Sequence, residues 1–249
     1  MKIAVLGAGA MGGALAEGLL KSQKAELIVS DPVEAALQRF VAYGASVTTD
    51  NRVAVSDADV VIVVVKPWLV EQVLKGIDTS GKTVILVAAG ISSEQLKNWT
   101  ATDADLWLAI PNIAASLQAS MTFLVEVRNT GKTDAKALFD MVGDTIITDE
   151  QHLAAGTTLA SCGIAYALRY IRAAAEGGVE LGFRAADAQR IVMQTVMGAA
   201  RLMECSGKHP EELIDQVTTP GGVTIRGLNE MEHAGFTSAV IRGLKAGAK

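Results

Sequence analysis

The chain opens with a glycine-rich turn directly behind an apolar strand, and this arrangement constrains the fold more than any other feature. Ile3–Leu6 leads into Gly7–Gly12, which reads Gly-Ala-Gly-Ala-Met-Gly, and a helix-forming run follows. In such a unit the first glycine allows the tight turn, the second lets the backbone approach a pyrophosphate, and the third lets the helix pack on its strand. The pyrophosphate faces N–H groups at the positive end of the helix. The sequence therefore predicts a dinucleotide-binding unit rather than another glycine-rich turn.

An acidic residue ends the second predicted strand where a ribose-binding carboxylate is expected. Asp31 follows Gly12 at roughly the 20-residue spacing of dinucleotide-binding units. A carboxylate there accepts hydrogen bonds from both ribose hydroxyls of NADH and repels the 2′-phosphate of NADPH. We therefore predict NAD(P)H as the cofactor, with NADH favoured. Because Pro32 follows, capping of the next helix by Asp31 is the alternative.

Composition limits the partners of this chain. Its 249 residues are 50% hydrophobic, enough for one large domain or two ordinary ones. The net charge of −5 comes with no block of basic residues, so no nucleic-acid partner is expected. No apolar run approaches the roughly 18 residues of a membrane span, so no membrane partner is expected.

The cysteines and histidines argue against a disulfide framework and against a metal site. Cys162 and Cys205 are the only cysteines and lie far apart, as is typical of proteins in a reducing cytoplasm. The three histidines show no ligand spacing, so no metal is predicted. The first strand follows Met1 closely, and we expect no signal peptide and a cytoplasmic location.

Short apolar segments alternate with helical ones in the first part of the chain. The strand candidates are rich in Val and Ile and apolar on both faces, as buried parallel strands are. The alternation predicts an α/β fold, an N-terminal Rossmann doubly wound parallel sheet with right-handed crossovers over residues 1–149. The predicted strands are 2–6, 26–30, 60–65, 83–87, 106–110, 121–127 and 145–147, with a weaker one at 46–48, and the predicted helices are 10–22, 32–43, 69–75, 93–99 and 133–142.

After Asp149 the strand pattern stops, and residues 150–249 read as an all-helical C-terminal domain. The longest helix, 185–205, carries apolar residues around much of its surface and needs partners on more than one side. About 100 residues form only a thin helical layer. We therefore predict a dimerisation domain that completes its core against a second subunit, the alternative being packing on its own Rossmann domain alone. The other predicted helices are 153–159, 165–179, 210–217, 225–233 and 237–245.

Three successive strand ends carry residues suited to one ligand, because ligands of open α/β sheets bind at the carboxyl edge. Lys66 can reach a cofactor ribose or phosphate, or it is an ordinary solvated lysine. The small residues Ala88-Ala89-Gly90 let a ring lie against the backbone, or they simply form a turn. Asn112 offers a donor and an acceptor to a nicotinamide carboxamide, or it caps a helix that starts at Ile113.

A second glycine turn lies between two predicted helices of the C-terminal half. Residues 218–224 read Thr-Thr-Pro-Gly-Gly-Val-Thr. The hydroxyls, the free N–H groups of the turn and the start of the next helix favour a bound carboxylate. The alternative is a plain helix connector with Thr224 as the N-cap.

The sequence contains no convincing Ser/His/Asp, Cys/His or paired-carboxylate constellation. Hydride transfer requires none, because the cofactor carries the difficult chemistry and the protein orients it.

These motifs together resemble the Δ1-pyrroline-5-carboxylate reductase family, over essentially the whole chain. The sequence of this chain departs from the family's usual pattern in two segments. These are Ile-Pro-Asn-Ile-Ala at 110–114 and Ala-Ser-Cys-Gly-Ile-Ala-Tyr at 160–166. The resemblance rests on Gly7–Gly12, Val65-Lys66-Pro67, Ala88-Ala89-Gly90, Pro111-Asn112, Ala175–Val179 with Leu181-Gly182, Gly207–Pro210, and above all Val217–Ile225.

The resemblance implies a site built from both halves of the chain. Similar enzymes pair an N-terminal Rossmann domain with a helical domain interleaved with that of a second subunit, and some assemble dimers into decamers. We expect a homodimer at least. The implied cofactor-binding residues are Gly7, Ala8, Gly9, Ala10, Met11, Gly12, Asn51, Val64, Val65, Lys66, Pro67, Ala88, Ala89, Gly90 and Asn112, in addition to Asp31; the implied substrate-binding residues are Thr219, Gly222, Val223, Thr224 and Glu150, with Thr224 also catalytic.

The resemblance further implies reduction of the cyclic imine carboxylate 1-pyrroline-5-carboxylate to L-proline with hydride from NAD(P)H. The alternatives are a β-hydroxyacid dehydrogenase-like enzyme, another imine reductase, or a non-catalytic dinucleotide-binding sensor. A dehydrogenase of that kind needs a lysine or equivalent base on its helical domain. Lys208, in a predicted loop, is the only lysine between Asp149 and His233, which disfavours that alternative.

Overall fold

The computed structural model describes residues 1–248, which form two compact units. The first unit is Met1–Ser161 and the second begins at Cys162. Residues 150–161, which the sequence assigned to the helical domain, therefore group with the first unit.

An eight-stranded sheet forms the centre of the first unit, with the strand order β3-β2-β1-β4-β5-β6-β7-β8. All pairs from β3 to β6 are parallel, which confirms the predicted Rossmann sheet. The strands are β1 Lys2–Leu6, β2 Glu26–Ser30, β3 Ser46–Thr48, β4 Val60–Val63, β5 Thr83–Leu86, β6 Asp105–Ile110, β7 Ser120–Arg128 and β8 Gly143–Thr148.

Strand β7 departs from the predicted parallel alternation, because it runs antiparallel to β6. The connection between these strands holds only the 3₁₀ helix Ile113–Leu117. A parallel crossover needs a dozen or more residues, usually with an α-helix, so this short connection reverses the chain. Strand β8 then pairs parallel to β7.

The sheet is covered by helices on both faces, and its side chains alternate between two cores. In β1, Ile3 and Val5 join one cluster, whereas Ala4 and Leu6 join the other. The first unit contains the helices α1 Ala10–Ser22, α2 Glu34–Val41, α3 Asn51–Ser56, α4 Val70–Lys75, α5 Ser93–Asn98, α6 Ala135–Phe139 and α7 Leu153–Gly156, with 3₁₀ helices at Pro67–Leu69, Ile113–Leu117 and Glu150–His152 and a π-helical segment at Thr157–Cys162.

Helix α3 has no counterpart among the predicted helices. It has only six residues, too few for a helical periodicity to be visible. Its N-cap is Asp50, whose carboxylate accepts a hydrogen bond from the N–H of Arg52 at 2.9 Å. A cap of this kind at the head of a short helix was the available sequence signal.

The second unit is entirely helical, as predicted. Its helices bury very little: Ala175 is the buried residue of α8 and Ala188 that of α9. Within residues 1–248, the last three helices contain no buried residue. The helices of this unit are α8 Gly163–Glu180, α9 Ala185–Ser206, α10 Pro210–Val217, α11 Val223–His233 and α12 Phe236–Gly247.

Candidate active site

A cleft of about 860 Å³ opens at the carboxyl ends of β1, β2 and β4. Strands β2 and β4 lie on opposite sides of β1, so the chain changes direction across the sheet at this point. Open α/β sheets bind ligands at such a switch point. Ten of the predicted cofactor-binding residues line the cleft: Gly7, Gly9, Ala10, Met11, Gly12, Asp31, Asn51, Val64, Val65 and Lys66.

The three glycines of the opening turn occupy three different environments. Gly7 has a φ of +106°, and a Cβ there would overlap the carbonyl oxygen of Val64. A Cβ on Gly12 would overlap the carbonyl oxygen of Gly7. A Cβ on Gly9 would meet no atom within 4 Å, and this residue faces the cleft. The turn thus leaves open the space that a phosphate would occupy.

The start of helix α1 faces the cleft without a side-chain cap. Gly9 is the N-cap, no side chain bonds the first turn, and that turn carries no acidic residue. The N–H groups and the positive end of the helix dipole are therefore available to an anion.

Asp31 bridges the opening turn and the approach to α2. One carboxylate oxygen accepts a hydrogen bond from the Ala8 N–H at 2.8 Å, and the other accepts one from the Val33 N–H at 2.9 Å. Val33, rather than Asp31, is the N-cap of α2. Each carboxylate oxygen retains a second acceptor site, so the side chain can still bind ribose hydroxyls from the cleft.

Asn51 and Arg52 line the cleft at the start of α3. The buried hydroxyl of Ser30 donates to the Asn51 side-chain oxygen at 2.7 Å, which leaves the amide NH₂ as a donor for a ligand. The Arg52 guanidinium binds the carboxylate of Asp50, at 3.0 Å for the closest ion-pair contact. Hydrogen bonds from the Arg52 side chain and backbone hold the pKa of Asp50 below its usual range.

The loop after β4 contributes Val64, Val65 and Lys66 to the cleft. Lys66 is exposed, and within residues 1–248 its ammonium group forms no ion pair or hydrogen bond. Its charge is therefore available to a phosphate. Pro67 begins the following 3₁₀ helix and does not line the cleft.

One wall of the cleft comes from α4 and the turns at its two ends, which sequence reasoning missed. The available sequence signal was the position of α4, which follows the strand end that carries Lys66 after one 3₁₀ helix. The wall is mostly apolar, with one amide that offers a donor and an acceptor. It consists of Leu69, Gln72, Val73, Gly76 and Ile77, and Thr49 lines the cleft at the end of β3.

Two predicted cofactor segments lie outside the cleft lining. Ala88, Ala89 and Gly90 follow β5, and Gly90 has a φ of +78° with open space around its Cα. Asn112 is buried, and its side-chain oxygen accepts from the Ala114 N–H at 3.0 Å while its amide donates to the Ala160 carbonyl at 3.3 Å. This is the capping arrangement that was the alternative for Asn112. Its contact with a nicotinamide stays a prediction.

The predicted substrate turn lies in the second unit, at the start of α11. The N-cap of α11 is Gly222, so the alternative with Thr224 as N-cap is wrong. Val223 and Thr224 are instead the first two helical residues, and both are exposed. No side chain caps this helix, and the turn closes through a hydrogen bond from the Gly222 N–H to the Thr219 carbonyl at 2.9 Å. The structure thus brings Thr219, Gly222, Val223 and Thr224 together around an open helix N-terminus.

Glu150, the remaining predicted substrate residue, lies at the start of the 3₁₀ helix Glu150–His152. Its carboxylate accepts hydrogen bonds from the Ser93 N–H, at 3.1 Å, and from the Ser93 hydroxyl. Ser93 begins α5 and follows the Ala88–Gly90 segment closely. Glu150 therefore lies near a predicted cofactor segment of the first unit.

A largely parallel sheet, with an uncapped helix start and the carboxylate of Asp31 at its switch point, is the arrangement of a dinucleotide-binding fold. The family profile "Pyrroline-5-carboxylate reductase dimerisation" matches residues 150–249, and "NADP oxidoreductase coenzyme F420-dependent" matches residues 2–90. No helix among residues 1–248 is long and apolar enough to cross a membrane.

Whole-chain comparisons agree with these matches. Pyrroline-5-carboxylate reductase 1 of Dictyostelium discoideum is 38% identical over 97% of this chain, which spans about half (48%) of that relative. The Methanosarcina acetivorans pyrroline-5-carboxylate reductase is 35% identical over 97% of this chain and 94% of its own length. The Streptococcus pyogenes 1-pyrroline-5-carboxylate reductase structure is 31% identical, with a TM-score of 0.86 over 100% of this chain and 96% of that chain. The chain belongs to the pyrroline-5-carboxylate reductase family.

Proposed function

We propose that this chain reduces 1-pyrroline-5-carboxylate to L-proline with hydride from NAD(P)H, the last step of proline biosynthesis. Membership of the reductase family is the observation that carries the proposal. The open helix starts of α1 and α11 support it, because one suits a pyrophosphate and the other suits a carboxylate.

The cleft of the first unit binds the dinucleotide. The start of α1 holds the pyrophosphate, Lys66 adds a compensating charge, and Asp31 accepts hydrogen bonds from the ribose next to the adenine. The apolar wall formed by Leu69, Val73 and Ile77 covers the adenine, and Gln72 reads its edge. The nicotinamide, when bound, supplies the hydride, and the Ala88–Gly90 segment gives it a surface free of bulky side chains.

The turn before α11 fixes the substrate. The N–H groups of Val223 and Thr224, at the uncapped start of α11, donate hydrogen bonds to the carboxylate, and the positive end of the helix dipole adds to its stabilisation. The Thr224 hydroxyl donates a hydrogen bond to the ring nitrogen and orients the electrophilic carbon. A neutral hydroxyl is too weak an acid to protonate the product nitrogen readily, so the proton arrives through water.

The alternatives make different demands on the helical unit. A β-hydroxyacid dehydrogenase needs a lysine or equivalent base there, and Lys208 is exposed in the connection between α9 and α10. Another imine reductase would not need a carboxylate-binding turn. A dinucleotide-binding sensor would bind NAD(P)H and leave the imine unchanged.

Steady-state oxidation of NADH and NADPH with the cyclic imine separates these functions. We expect turnover with 1-pyrroline-5-carboxylate and much slower turnover with 1-pyrroline, which lacks the carboxylate. Equal rates with both imines would favour a general imine reductase. Turnover of a β-hydroxyacid with NAD(P)⁺, or dinucleotide binding without any turnover, would support one of the other two alternatives.

We further propose that the working unit is at least a homodimer built through the dimerisation domain, and that such dimers assemble into a decamer as the larger form. The extensive exposed apolar surface of the second unit supports this proposal. The cytoplasmic location stays a prediction.

A further inference from the structure

The Arg39 side chain of α2 reaches the opening glycine turn. Its guanidinium donates a hydrogen bond to the carbonyl oxygen of Ala8 at 3.0 Å. The same group forms an ion pair with Glu17 of α1 at 3.3 Å and lies over the ring of Phe40, 4.6 Å from the ring centre. These three contacts hold the guanidinium against the turn, and neither Ala8 nor Arg39 is among the residues that line the cleft.

Because the peptide bond between Ala8 and Gly9 is trans, the contact at the Ala8 carbonyl also sets the orientation of the Gly9 N–H group. Within residues 1–248 there is no cis peptide bond, so the C=O of Ala8 and the N–H of Gly9 point in opposite directions. Holding the Ala8 carbonyl against Arg39 therefore turns the Gly9 N–H the other way. Gly9 lines the cleft, and among the described residues its N–H has no acceptor.

The preceding peptide group, between Gly7 and Ala8, is also held in place by contacts with the rest of the chain. The Ala8 N–H is held by Asp31 at 2.8 Å, and the carbonyl of Gly7 points to the α-carbon of Gly12. The peptide group before Ala8 is thus held at its N–H by the Asp31 carboxylate, and the peptide group after Ala8 is held at its C=O by the Arg39 guanidinium.

Gly13 provides the space that Arg39 needs. A Cβ on Gly13 would overlap the Nη2 and Cζ atoms of Arg39 and would lie 3.4 Å from the Ala8 carbonyl oxygen. Gly13, which follows the dinucleotide motif, therefore accommodates the guanidinium, and it does not line the cleft.

We propose that Arg39 is a positioning residue that orients the Gly9 N–H toward the cofactor pyrophosphate. It acts through the Ala8 carbonyl and does not touch the dinucleotide. Since NADH and NADPH share the pyrophosphate, loss of Arg39 weakens both to the same extent, in contrast to a change at Asp31. The inference rests on the dinucleotide site of the proposed function.

The test measures the Kd of NADH and NADPH by titration, together with thermal unfolding, for wild type, Arg39→Met and Arg39→Lys. We expect Arg39→Met to raise both Kd values roughly 10-fold, on the scale of one charge-assisted hydrogen bond. The ratio of the two Kd values and the kcat at saturating cofactor stay within about twofold of wild type. Arg39→Lys recovers part of the affinity because it keeps a charged donor. Gly13→Ala, which displaces the guanidinium and keeps its charge, raises both Kd values as well.

Arg128 provides the matched control. Its guanidinium also binds backbone carbonyls, those of Ala104 at 2.6 Å and Ala101 at 2.5 Å, near the start of β6 and outside the cleft. Arg128→Met should lower the melting temperature and leave both Kd values unchanged. Destabilisation of Arg39→Met with wild-type Kd values would overturn the inference, and so would a change confined to NADPH. Failure of the wild type to bind either dinucleotide would instead overturn the proposed function.

Discussion

The α-carbon of Gly12 packs directly against the carbonyl oxygen of Gly7, with no space between them for a methyl group. Gly9, between them in sequence, has open space where its side chain would be. The same residue type thus serves packing at one position and ligand access at another.

This difference predicts opposite outcomes for two alanine substitutions. Gly12→Ala should destabilise the protein by about 1–3 kcal/mol, because overlap with backbone forces the helix and the turn apart. Gly9→Ala should leave the melting temperature nearly unchanged and weaken dinucleotide binding by at least roughly 10-fold, because the methyl group occupies the phosphate space. Thermal unfolding and cofactor titration of both variants check this. A stable Gly12→Ala protein would contradict the packing role.

The carboxylate of Asp31 should determine the preference between NADH and NADPH. We expect a preference for NADH over NADPH of roughly 10- to 100-fold in kcat/KM, since the carboxylate accepts ribose hydrogen bonds and repels a 2′-phosphate. Asp31→Ser should reduce or reverse this ratio. Because Asp31 also holds the Ala8 N–H, the substitution should weaken both cofactors somewhat. Kinetics with both cofactors provide the measurement, and a wild-type preference for NADPH would leave Asp31 with its structural role alone.

Replacement of Thr224 should impair turnover of the imine substrate and leave cofactor binding unchanged. Thr224→Ala should lower kcat/KM for the imine by roughly 10- to 100-fold, the scale of one or two lost hydrogen bonds, with an unchanged Kd for NADH. Thr195→Ala is the control, because that hydroxyl bonds the Ile191 carbonyl of its own helix. Wild-type kinetics in Thr224→Ala would remove Thr224 from the site.

The exposed apolar surface of the second unit predicts a stable dimer. Leu168 is 58% exposed, Leu202 60% and Ile241 51%. Such a surface on helices that bury almost nothing is typical of an interface with a second chain. We expect light scattering to show a dimer or a larger assembly at micromolar concentration. Leu202→Asp should dissociate or aggregate it, whereas Val41→Asp, at a 53% exposed site on α2, should not. A stable, active monomer would be inconsistent with this proposal.

The hydrogen bonds of the Asp105 carboxylate should make the folded protein less stable in acid. Its carboxylate accepts hydrogen bonds from the Thr130 N–H at 2.9 Å, the Thr130 hydroxyl at 2.7 Å and the Lys132 N–H at 3.1 Å. Burial raises the pKa of Asp105, but these bonds outweigh burial and hold the pKa below its usual value. The stabilisation is therefore fully present above the unfolded pKa of about 3.9 and is lost as the pH falls through the lower folded pKa.

Asp105→Asn checks this dependence. We expect a loss of about 1–2 kcal/mol at neutral pH, because an amide cannot accept all three hydrogen bonds. The difference from wild type should shrink as the pH falls below about 4, because the folded pKa of Asp105 lies below the unfolded one. Urea unfolding at several pH values gives both quantities. A difference that does not change with pH would show that the charge of Asp105 is not involved.

Periodicity and position predicted most of the fold, because buried parallel strands and amphipathic helices carry strong local patterns. The direction of β7 was missed because its apolar pattern is the same in either orientation, and only the short connection from β6 distinguishes them. Helix α3 was missed because six residues are too few for a pattern.

The cleft was predicted where a backbone requirement selects the residue type. Gly7 and Gly12 follow from such a requirement, whereas Asp31 was predicted from its spacing after the glycine motif. The wall formed by α4 was not predicted, since Leu69, Val73 and Ile77 are indistinguishable in sequence from ordinary core residues. The contact of Arg39 with the opening turn was not predicted either, because its partner is a backbone carbonyl oxygen, which every residue possesses.

The two units differ in how their folding can be completed. The sheet of the first unit has a closed core on each face, whereas helices α10–α12 bury no residue within the described chain. In the dimer that we propose, the first unit completes its core within one chain, whereas the helical unit completes its core against a second copy. Association and folding of the helical unit would then form one equilibrium, and we expect the midpoint of its unfolding to rise with protein concentration.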